Sequence, residues 1–363
     1  MLVLITVSLA TVQSLAARMG AVTGKGLAEL IRERYGIRWS ALATTAVLVA
    51  NLGICISDFV GIGAALGLAG VPAQISVPLA AAGIWLVIVR GSYRSAERTF
   101  IWMTIPFFAY PLAAILAHPD WGQVGRALVV PHVHASSAYL LLFIATAGTT
   151  ITPYMQLYLQ SATVERGARV EEIRSEQRQA ISGAIFADLI AASIIVATGA
   201  TLYVHGIHTI DSASQAAQAL EPFAGRYAEA LFGIGLLGAS LLACAILPIA
   251  TSYVVSESLG FEKGLGRRPH EAPVFVGLIS AMIAIATLVA VIPGIPVFKL
   301  LIGVQVVNGL LLPINLMFIW RLSRDRELMG EHRNRGAGDV LTVATVLFTS
   351  ALSLTLVVVT LSP

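Results

Sequence analysis

Ten apolar stretches, most of them about twenty residues long, dominate this sequence. A helix of about twenty apolar residues spans the hydrocarbon core of a bilayer, because each residue advances the helix by roughly 1.5 Å. Hydrophobic residues make up 57% of the 363 residues and charged residues only 12%, too few to cover a soluble domain. The sequence therefore predicts an all-α, polytopic membrane protein. The predicted spans are 1–17, 40–66, 74–89, 99–117, 136–160, 178–204, 224–256, 272–292, 296–320 and 339–361.

The basic residues are distributed unevenly among the connections between these spans. Of the 23 Lys and Arg residues, 20 lie in alternate connections, and only Arg126, Arg226 and Lys299 lie in the others. This is the positive-inside pattern, so we expect the basic loops in the cytoplasm of a cell (inner) membrane and both chain termini outside. We interpret these bases as topology determinants rather than as a specific lipid or nucleic-acid site. The basic connections are 18–38, 90–98, 166–178, 263–268 and 321–335.

The fifth stretch contains TTITPYM, in which a proline follows three closely spaced threonines. Pro153 removes one backbone donor and clashes with the preceding turn, which favours a break in the helix. A break there would free the carbonyls of Thr149 and Thr150 and would turn their hydroxyls, with that of Thr152, towards the gap. Broken helices at membrane depth line the ion sites of transporters. A plain proline kink is the alternative, and the pattern alone favours neither.

Further polar residues interrupt the second and ninth stretches. Gln305 and Asn308 are three residues apart on one helical face, where their amide oxygens could bind a hard cation or join two helices. Asn51, Cys55 and Asp58 share one stripe of the second span. A carboxyl at this depth acts either as a proton or cation acceptor or as a structural partner of a neighbouring helix, and Asp58 fits both roles.

Two acidic residues lie in the sixth and seventh stretches. Asp188 is expected to be a packing or gating partner rather than a direct ion ligand, and Glu257, near the cytoplasmic end of its span, is expected to meet water. The sequence contains neither a phosphate-binding glycine loop nor a nucleophile–base constellation. We therefore expect no enzyme, no ATP-driven pump and no cofactor beyond a transported ion.

Several long motifs, in order along the chain, resemble those of the NRAMP family of divalent-metal transporters. They are QSLAARMGAVTGKGLAELIRERYG, NLGICISDFVGIGAALGLAGVP, TTITPYMQLYLQSATVERG, EPFAGRYAEALFGIGLLGASLLA and VQVVNGLLLPINLMF. The resemblance implies one LeuT-like transporter domain over residues 1–363, built on two inverted repeats. Residues 1–117 would be the remainder of the first repeat, 136–320 the second, and 339–361 an extra C-terminal helix. The match begins at the family's second helix, so we expect a preceding helix to be encoded upstream of Met1.

The resemblance also suggests roles for individual residues. Thr152, Pro153 and Tyr154 stand where the family has methionine, proline and histidine. A hydroxyl in place of a thioether favours a hard or hydrated ion such as Mg²⁺ over Mn²⁺ and Fe²⁺. This sequence is similar to an NRAMP-related branch implicated in magnesium uptake, in which that methionine is also absent. Gln305 matches a metal-site position of the tenth family helix.

Proton coupling is expected to be weak or absent. Asp58 matches an acid of the family's proton route, whereas Cys55 stands where a second acid is usual. Tyr154, in place of histidine, does not titrate near neutral pH.

The resulting prediction is a divalent-cation transporter that works by secondary or facilitated uptake. Mg²⁺ is the favoured ion, with Mn²⁺ and Fe²⁺ next, and Thr149, Thr152 and Gln305 bind the ion or its hydration shell. A carrier of amino acids or other small organic solutes on the same fold, and a transport-inactive fragment, are the alternatives. The expected partners are the metal ion and the bilayer, without nucleic acid, and the oligomeric state stays open. The residues predicted to support or gate the site are Thr150, Pro153, Tyr154, Asn308, Asp58, Asn51 and Asp188.

Overall fold

The computed structural model describes residues 2–90, 102, 105–130, 136–210, 212–264 and 269–361, and the regular structure in these ranges is helical. The longer helices are α1 (Leu2–Thr23), α2 (Leu27–Tyr35), α3 (Ile37–Gly67), α4 (Ala73–Arg90), α5 (Ala109–Leu116), α6 (Trp121–Val129), α7 (Ser137–Thr150), α8 (Pro153–Glu165), α9 (Ile173–Thr198), α10 (Ala228–Leu259), α11 (Pro273–Ala290), α12 (Val297–Arg324) and α13 (Ala337–Leu361). Single helical turns extend or join them at Ile105–Phe108, Val170–Glu172, Gly199–Tyr203, Ala213–Ala217, Gln218–Leu220, Glu221–Ala224, Gly225–Tyr227, Arg326–Met329 and Gly330–His332.

The predicted spans coincide with helices of this structure. Among the described residues, eight helical segments are long and apolar enough to cross a membrane, and Ala73–Val89 and Ile105–Leu116 are shorter apolar helices. The fifth predicted span is divided into α7 and α8, so the structure shows a break rather than the plain proline kink that the sequence left as the alternative. The start of the fourth predicted span, apart from Trp102, lies outside the described residues. Segment length and apolarity were enough to locate these helices, because a backbone inside lipid has no water to bond to and must satisfy its hydrogen bonds within a helix.

Two apolar clusters form the interior of the bundle. One lies between α1, α2 and α12, and the other between α3, α4, α10 and α11. Tyr154, at the start of α8, packs against both clusters. On the outer faces of the helices, large apolar side chains such as Leu79 (68% exposed), Leu288 (68%) and Val340 (67%) point away from the protein. An apolar exterior on this scale is covered by lipid in a membrane protein.

Small residues bring the central helices into close contact. A Cβ atom at Gly148 in α7 would overlap the backbone of Gln305 and Gly309 in α12. From the other side, a Cβ at Gly309 would lie only 2.7 Å from the carbonyl oxygen of Ile144. Gly53 of α3 similarly lies against α12, with the place of its Cβ 3.2 Å from the Val304 side chain. These contacts set α3 and α7 directly against α12.

Three of the five predicted basic connections meet at one end of the bundle. The Nε atom of Arg34 lies 3.0 Å from Oδ2 of Asp325, which joins the connection after α1 to that after α12. The Nζ atom of Lys263 lies 3.8 Å from Oε2 of Glu29, which joins the same end to the connection after α10. These three connections therefore lie at the same end of the bundle.

The α7–α12 crossing provides a test of the fold. Gly148→Ala should lower the free energy of unfolding by about 1–3 kcal/mol, because the new methyl group meets backbone that cannot move aside independently. Gly303→Ala on α12 is the matched control, since no atom lies within 4 Å of the place of its Cβ, and its effect should stay below about 1 kcal/mol. Denaturant titration of the detergent-solubilised protein measures both; equal stability of the two variants would contradict the close crossing.

Candidate metal centre

The break between α7 and α8 lies at Ile151 and Thr152. Ile151 leaves the helical region (φ −111°, ψ 63°) and Thr152 is extended (φ −66°, ψ 141°), after which Pro153 begins α8. Because Pro153 has no N–H group, the carbonyl of Thr149 lacks the donor that a continuous helix would give it. The helical ladder thus loses one donor at the point where the chain changes direction.

The start of α8 is held by a buried amide. The Gln156 side chain has no solvent exposure, and its amide nitrogen donates to the carbonyl oxygens of Thr152 at 2.6 Å and Pro153 at 3.1 Å. The Thr152 hydroxyl is buried close to Tyr154 but has no hydrogen-bond partner of good geometry among the described residues. Gln156 therefore adds a second donor to the Thr152 carbonyl, which also accepts from Met155 N at 3.2 Å, a pairing that the sequence pattern did not suggest.

An amide pair on α12 lies beside the break. Asn308 donates from Nδ2 to Oε1 of Gln305 at 2.8 Å, which confirms that the two side chains share one face. Asn308 is fully buried, and its Oδ1 atom has no partner in the described structure. Since Gly148, near the end of α7, lies against the backbone of Gln305, this pair lies on the part of α12 that packs against the last turn of α7.

Helix α3 contributes a carboxyl group to the same region. The Oδ2 atom of Asp58 is buried and unpartnered among the described residues, and its carboxyl lies near Tyr154. Gly53, five residues earlier, is in contact with Val304 on α12. The acid predicted from the second apolar stretch therefore faces the side of the break that Tyr154 occupies.

Two other predicted site residues lie elsewhere. Asn51 shares α3 with Asp58, but it donates from Nδ2 to Oγ1 of Thr251 on α10 at 2.7 Å. Asp188 is buried where α9 packs against α1, next to Thr6. Asn51 thus links two helices, and Asp188 occupies the packing position that was preferred for it over direct ion binding.

Two threonines of the predicted site differ from Thr152 in exposure. The Thr149 side chain is exposed and that of Thr150 is half-buried, whereas Thr152 is 5% exposed. The sequence could not predict which of the three threonines is buried, because the break turns Thr152 away from the face of α7.

The chemistry of this centre is that of neutral oxygen donors. The Thr152 hydroxyl and the amide oxygens of Gln305 and Asn308 lie on the elements that meet at the break, with one carboxyl, that of Asp58, on α3. Within the described residues, no group of three or more His, Cys, Asp or Glu side chains is arranged to hold a metal ion. Oxygen donors of this type suit hard cations that keep part of their hydration shell.

Comparison with known proteins assigns the chain to a family. A family model described as natural resistance-associated macrophage protein-like matches residues 1–359. The chain belongs to the Nramp family. Members of the family are metal-ion transporters rather than enzymes, which agrees with the resemblance and with the multi-pass, inner-membrane character of the helices.

Nramp relatives match most of the chain. A divalent metal cation transporter MntH from Ralstonia nicotianae is 31% identical over 344 residues, covering 89% of this chain and 74% of its own. The protein of the same name from Caldanaerobacter subterraneus is 23% identical over 362 residues, covering 95% and 82%. The crystal structure of a manganese transporter from Eremococcus coleocola superposes with a TM-score of 0.77 at 20% identity, covering 97% of this chain and 78% of that one. The Nramp chain accordingly has the LeuT-like fold.

Glu257 corrects one sequence-based expectation. The residue does not meet water, because its side chain is only 1% exposed. Its Oε1 atom accepts hydrogen bonds from Ser161 Oγ at 2.8 Å and from Lys263 Nζ at 2.9 Å, and Gly26 packs so closely that a Cβ there would overlap the carboxylate. Lys263 and the loop containing Gly26 fold over the end of α10 in the Nramp chain, so a position near the end of a span did not imply exposure.

The contribution of the buried Glu257 carboxylate to stability can be compared with that of an exposed carboxylate. Glu257→Ala should lower the free energy of unfolding by about 3 kcal/mol, since it leaves the Lys263 ammonium without its buried partner. Glu327→Ala is the control: Glu327 pairs with Arg34 at 2.9 Å, but its side chain is 77% exposed, so the loss should stay below about 1 kcal/mol. Unfolding in detergent micelles distinguishes the two, and a small effect at Glu257 would mean that this carboxylate is hydrated in solution.

Proposed function

We propose that this Nramp chain carries divalent cations across the inner membrane, with the break between α7 and α8 as the ion site. Thr149, Thr152 and Gln305 bind the ion or its water shell. The basic connections face the cytoplasm in this proposal, and residues 1–117 and 136–320 belong to two inverted repeats. Its relatives are named divalent metal cation transporters, which supports the class of substrate.

The observation that carries this proposal is a set of buried oxygen atoms without donors. The Thr152 hydroxyl, Asn308 Oδ1 and Asp58 Oδ2 are all unpartnered among the described residues, on elements that meet at the break. An unsatisfied buried acceptor costs roughly 1–3 kcal/mol, so native proteins seldom retain several in one place without a ligand, ion or water. A hydrated divalent cation would satisfy all three.

The donor set supports Mg²⁺ as the favoured ion. Thr152 occupies the position where a thioether would select soft or borderline metals. The nearby Met155 packs its side chain against the apolar cluster between α1, α2 and α12. The remaining donors are oxygen atoms, which bind Mg²⁺ directly or through its retained waters. Mn²⁺ and Fe²⁺ are the next candidates.

Two alternatives make different predictions. A carrier of amino acids on this fold would direct a half-helix N-terminus at a substrate carboxylate, and it would accumulate labelled amino acids without any divalent ion. A transport-inactive chain would bind ions without moving them across a vesicle membrane. Uptake assays with purified protein in proteoliposomes distinguish both from ion transport.

Selectivity should depend on the residue at position 152. Thr152→Met should raise uptake of Mn²⁺ or Cd²⁺ relative to Mg²⁺, because a soft donor replaces a hard one. A change on the order of tenfold is expected, the size of effect that one altered group near a metal produces. Uptake of each ion into proteoliposomes gives the ratio.

Thr146→Met is the matched control for this test. Thr146 lies on α7, but its hydroxyl donates to the carbonyl oxygen of Leu142 at 2.7 Å, within its own helix and away from the break. Its ion preference should equal that of the unmodified protein. If Thr152→Met also leaves the order of ions unchanged, Thr152 does not face the ion.

Transport should not acidify the vesicle lumen in proportion to the metal moved. Proton coupling needs groups that load and release protons along a path. Among the described residues, Asp58 is the carboxyl found near the break, with Cys55 and Tyr154 where titrating partners would be expected. Lumenal pH, followed by a fluorescent dye during Mg²⁺ or Mn²⁺ uptake with an ionophore control, tests this. A metal-dependent proton influx that Asp58→Asn abolishes, with metal binding retained, would show that transport is coupled.

A further inference from the structure

A basic cavity opens between α1, α9 and the segment that follows α12. Its volume is about 570 Å³. The side chains that line it include four arginines, which come from three separate parts of the sequence: Arg18, Arg174, Arg333 and Arg335. The cavity lies at the end of the bundle where the basic connections meet. Convergence of four cations on one cavity is costly unless anions compensate for it.

The protein itself supplies only part of that compensation. Two carboxylates, Glu171 and Glu331, also line the cavity, which leaves an excess of positive charge. Among the described residues, no carboxylate lies within ion-pair distance of any of the four arginines. By contrast, Arg166 on the neighbouring loop pairs with Glu176 at 2.6 Å. The cavity is therefore electrostatically suited to an anion from outside the chain.

Arg18 places part of this charge inside the protein. Its guanidinium is held by one neutral contact, in which Nη2 donates to Oδ1 of Asn334 at 3.1 Å. Its Nε atom is buried and has no partner in the described structure. A guanidinium fork with free donors is the group that proteins use to bind phosphate. Arg18 thus leaves a hydrogen-bond donor for a ligand at the inner end of the cavity.

An apolar groove continues from the cavity along the bundle. This second space, of about 320 Å³, is lined by both Arg18 and Gln177, the latter also a wall of the cavity. Its other walls include Val7, Leu15 and Ile181, apolar residues of α1 and α9. At its entrance, the Gln177 and Ser14 side chains are hydrogen-bonded to each other, with Gln177 Nε2 donating to Ser14 Oγ at 2.7 Å. The groove is consequently suited to a hydrocarbon chain.

We propose that the cavity and the groove together form a binding site for an anionic phospholipid. The phosphate of the headgroup binds the four arginines, and one acyl chain lies in the groove between α1, α9 and α13. Basic pockets between helices at the membrane surface have this chemistry. A soluble phosphate would use the arginines but not the groove, so the continuity of the two spaces identifies the ligand as a lipid.

The test is lipid retention by the purified full chain, measured by native mass spectrometry in detergent with added phosphatidylglycerol or phosphatidylcholine. Phosphatidylglycerol should be retained and phosphatidylcholine should not. The double variant Arg174→Gln/Arg335→Gln should bind phosphatidylglycerol about thirtyfold more weakly, from roughly 1 kcal/mol for each basic residue near a lipid headgroup. The charge-matched control is Arg38→Gln/Arg178→Gln, two exposed arginines outside the cavity. Equal retention by the two double variants would overturn the proposal.

A second comparison separates a lipid from a free phosphate. Ala10→Trp fills the groove about two helical turns from Arg18, whereas Val3→Trp adds the same bulk to an exposed position of α1 outside it. Ala10→Trp should weaken binding of phosphatidylglycerol several-fold and leave binding of glycerol phosphate unchanged, and Val3→Trp should change neither. If glycerol phosphate displaces phosphatidylglycerol at equal concentration and Ala10→Trp has no effect, the site binds free phosphate and the lipid assignment is wrong.

Discussion

The contact between Gly148 and the backbone of α12 is the constraint on which the polar centre depends. A helix that breaks within a membrane exposes backbone groups, and lipid cannot satisfy them. Here the break at Ile151 and Thr152 is enclosed because α12 approaches α7 without an intervening side chain at Gly148 or Gly309. The same approach sets the amide pair of α12 beside the break, so one packing contact both protects the irregular backbone and assembles the donors proposed for the ion.

The hydrogen-bond partners of the buried polar groups show which of them join helices in this molecule. Asn51 is bonded to Thr251, and Glu257 to Ser161 and Lys263, and these groups join helices. Asn51 and Glu257 nevertheless also retain one buried oxygen atom without a partner in the described structure, as do Thr152, Asn308 and Asp58. Missing partners alone therefore do not distinguish the candidate ligands from the other polar groups. Their position does, because Thr152, Asn308 and Asp58 lie on elements that meet at the break, where one bound cation or water would lower the free energy of several unsatisfied acceptors.

The positively charged residues at the basic end of the bundle can both orient the protein in the membrane and bind anionic lipid. Positive residues beside apolar helices set the orientation of a membrane protein, and the same residues attract anionic lipid headgroups. Arg34 is neutralised within the protein by Asp325, whereas the arginines around the cavity next to α1 are not. A topological role for these bases and a lipid-binding role for four of them are therefore compatible. Which arginines pair with a carboxylate depends on how the connections fold over the helix ends.

The sequence by itself determined the helices and located the point, at Pro153, where one of them is interrupted. In the part of the chain that the structure describes, the apolar segments became helices because lipid requires backbone groups to be bonded within the segment, and Pro153 ended α7 because it has no N–H group to continue the ladder. Only the tertiary structure decided which polar residues face one another. It buried Glu257 beneath Lys263, placed Asp188 against α1, and joined three distant connections around one arginine cavity. The physical reason is that a side chain's burial and partners depend on which helices pack beside it, and apolar length fixes a helix's extent without fixing its neighbours.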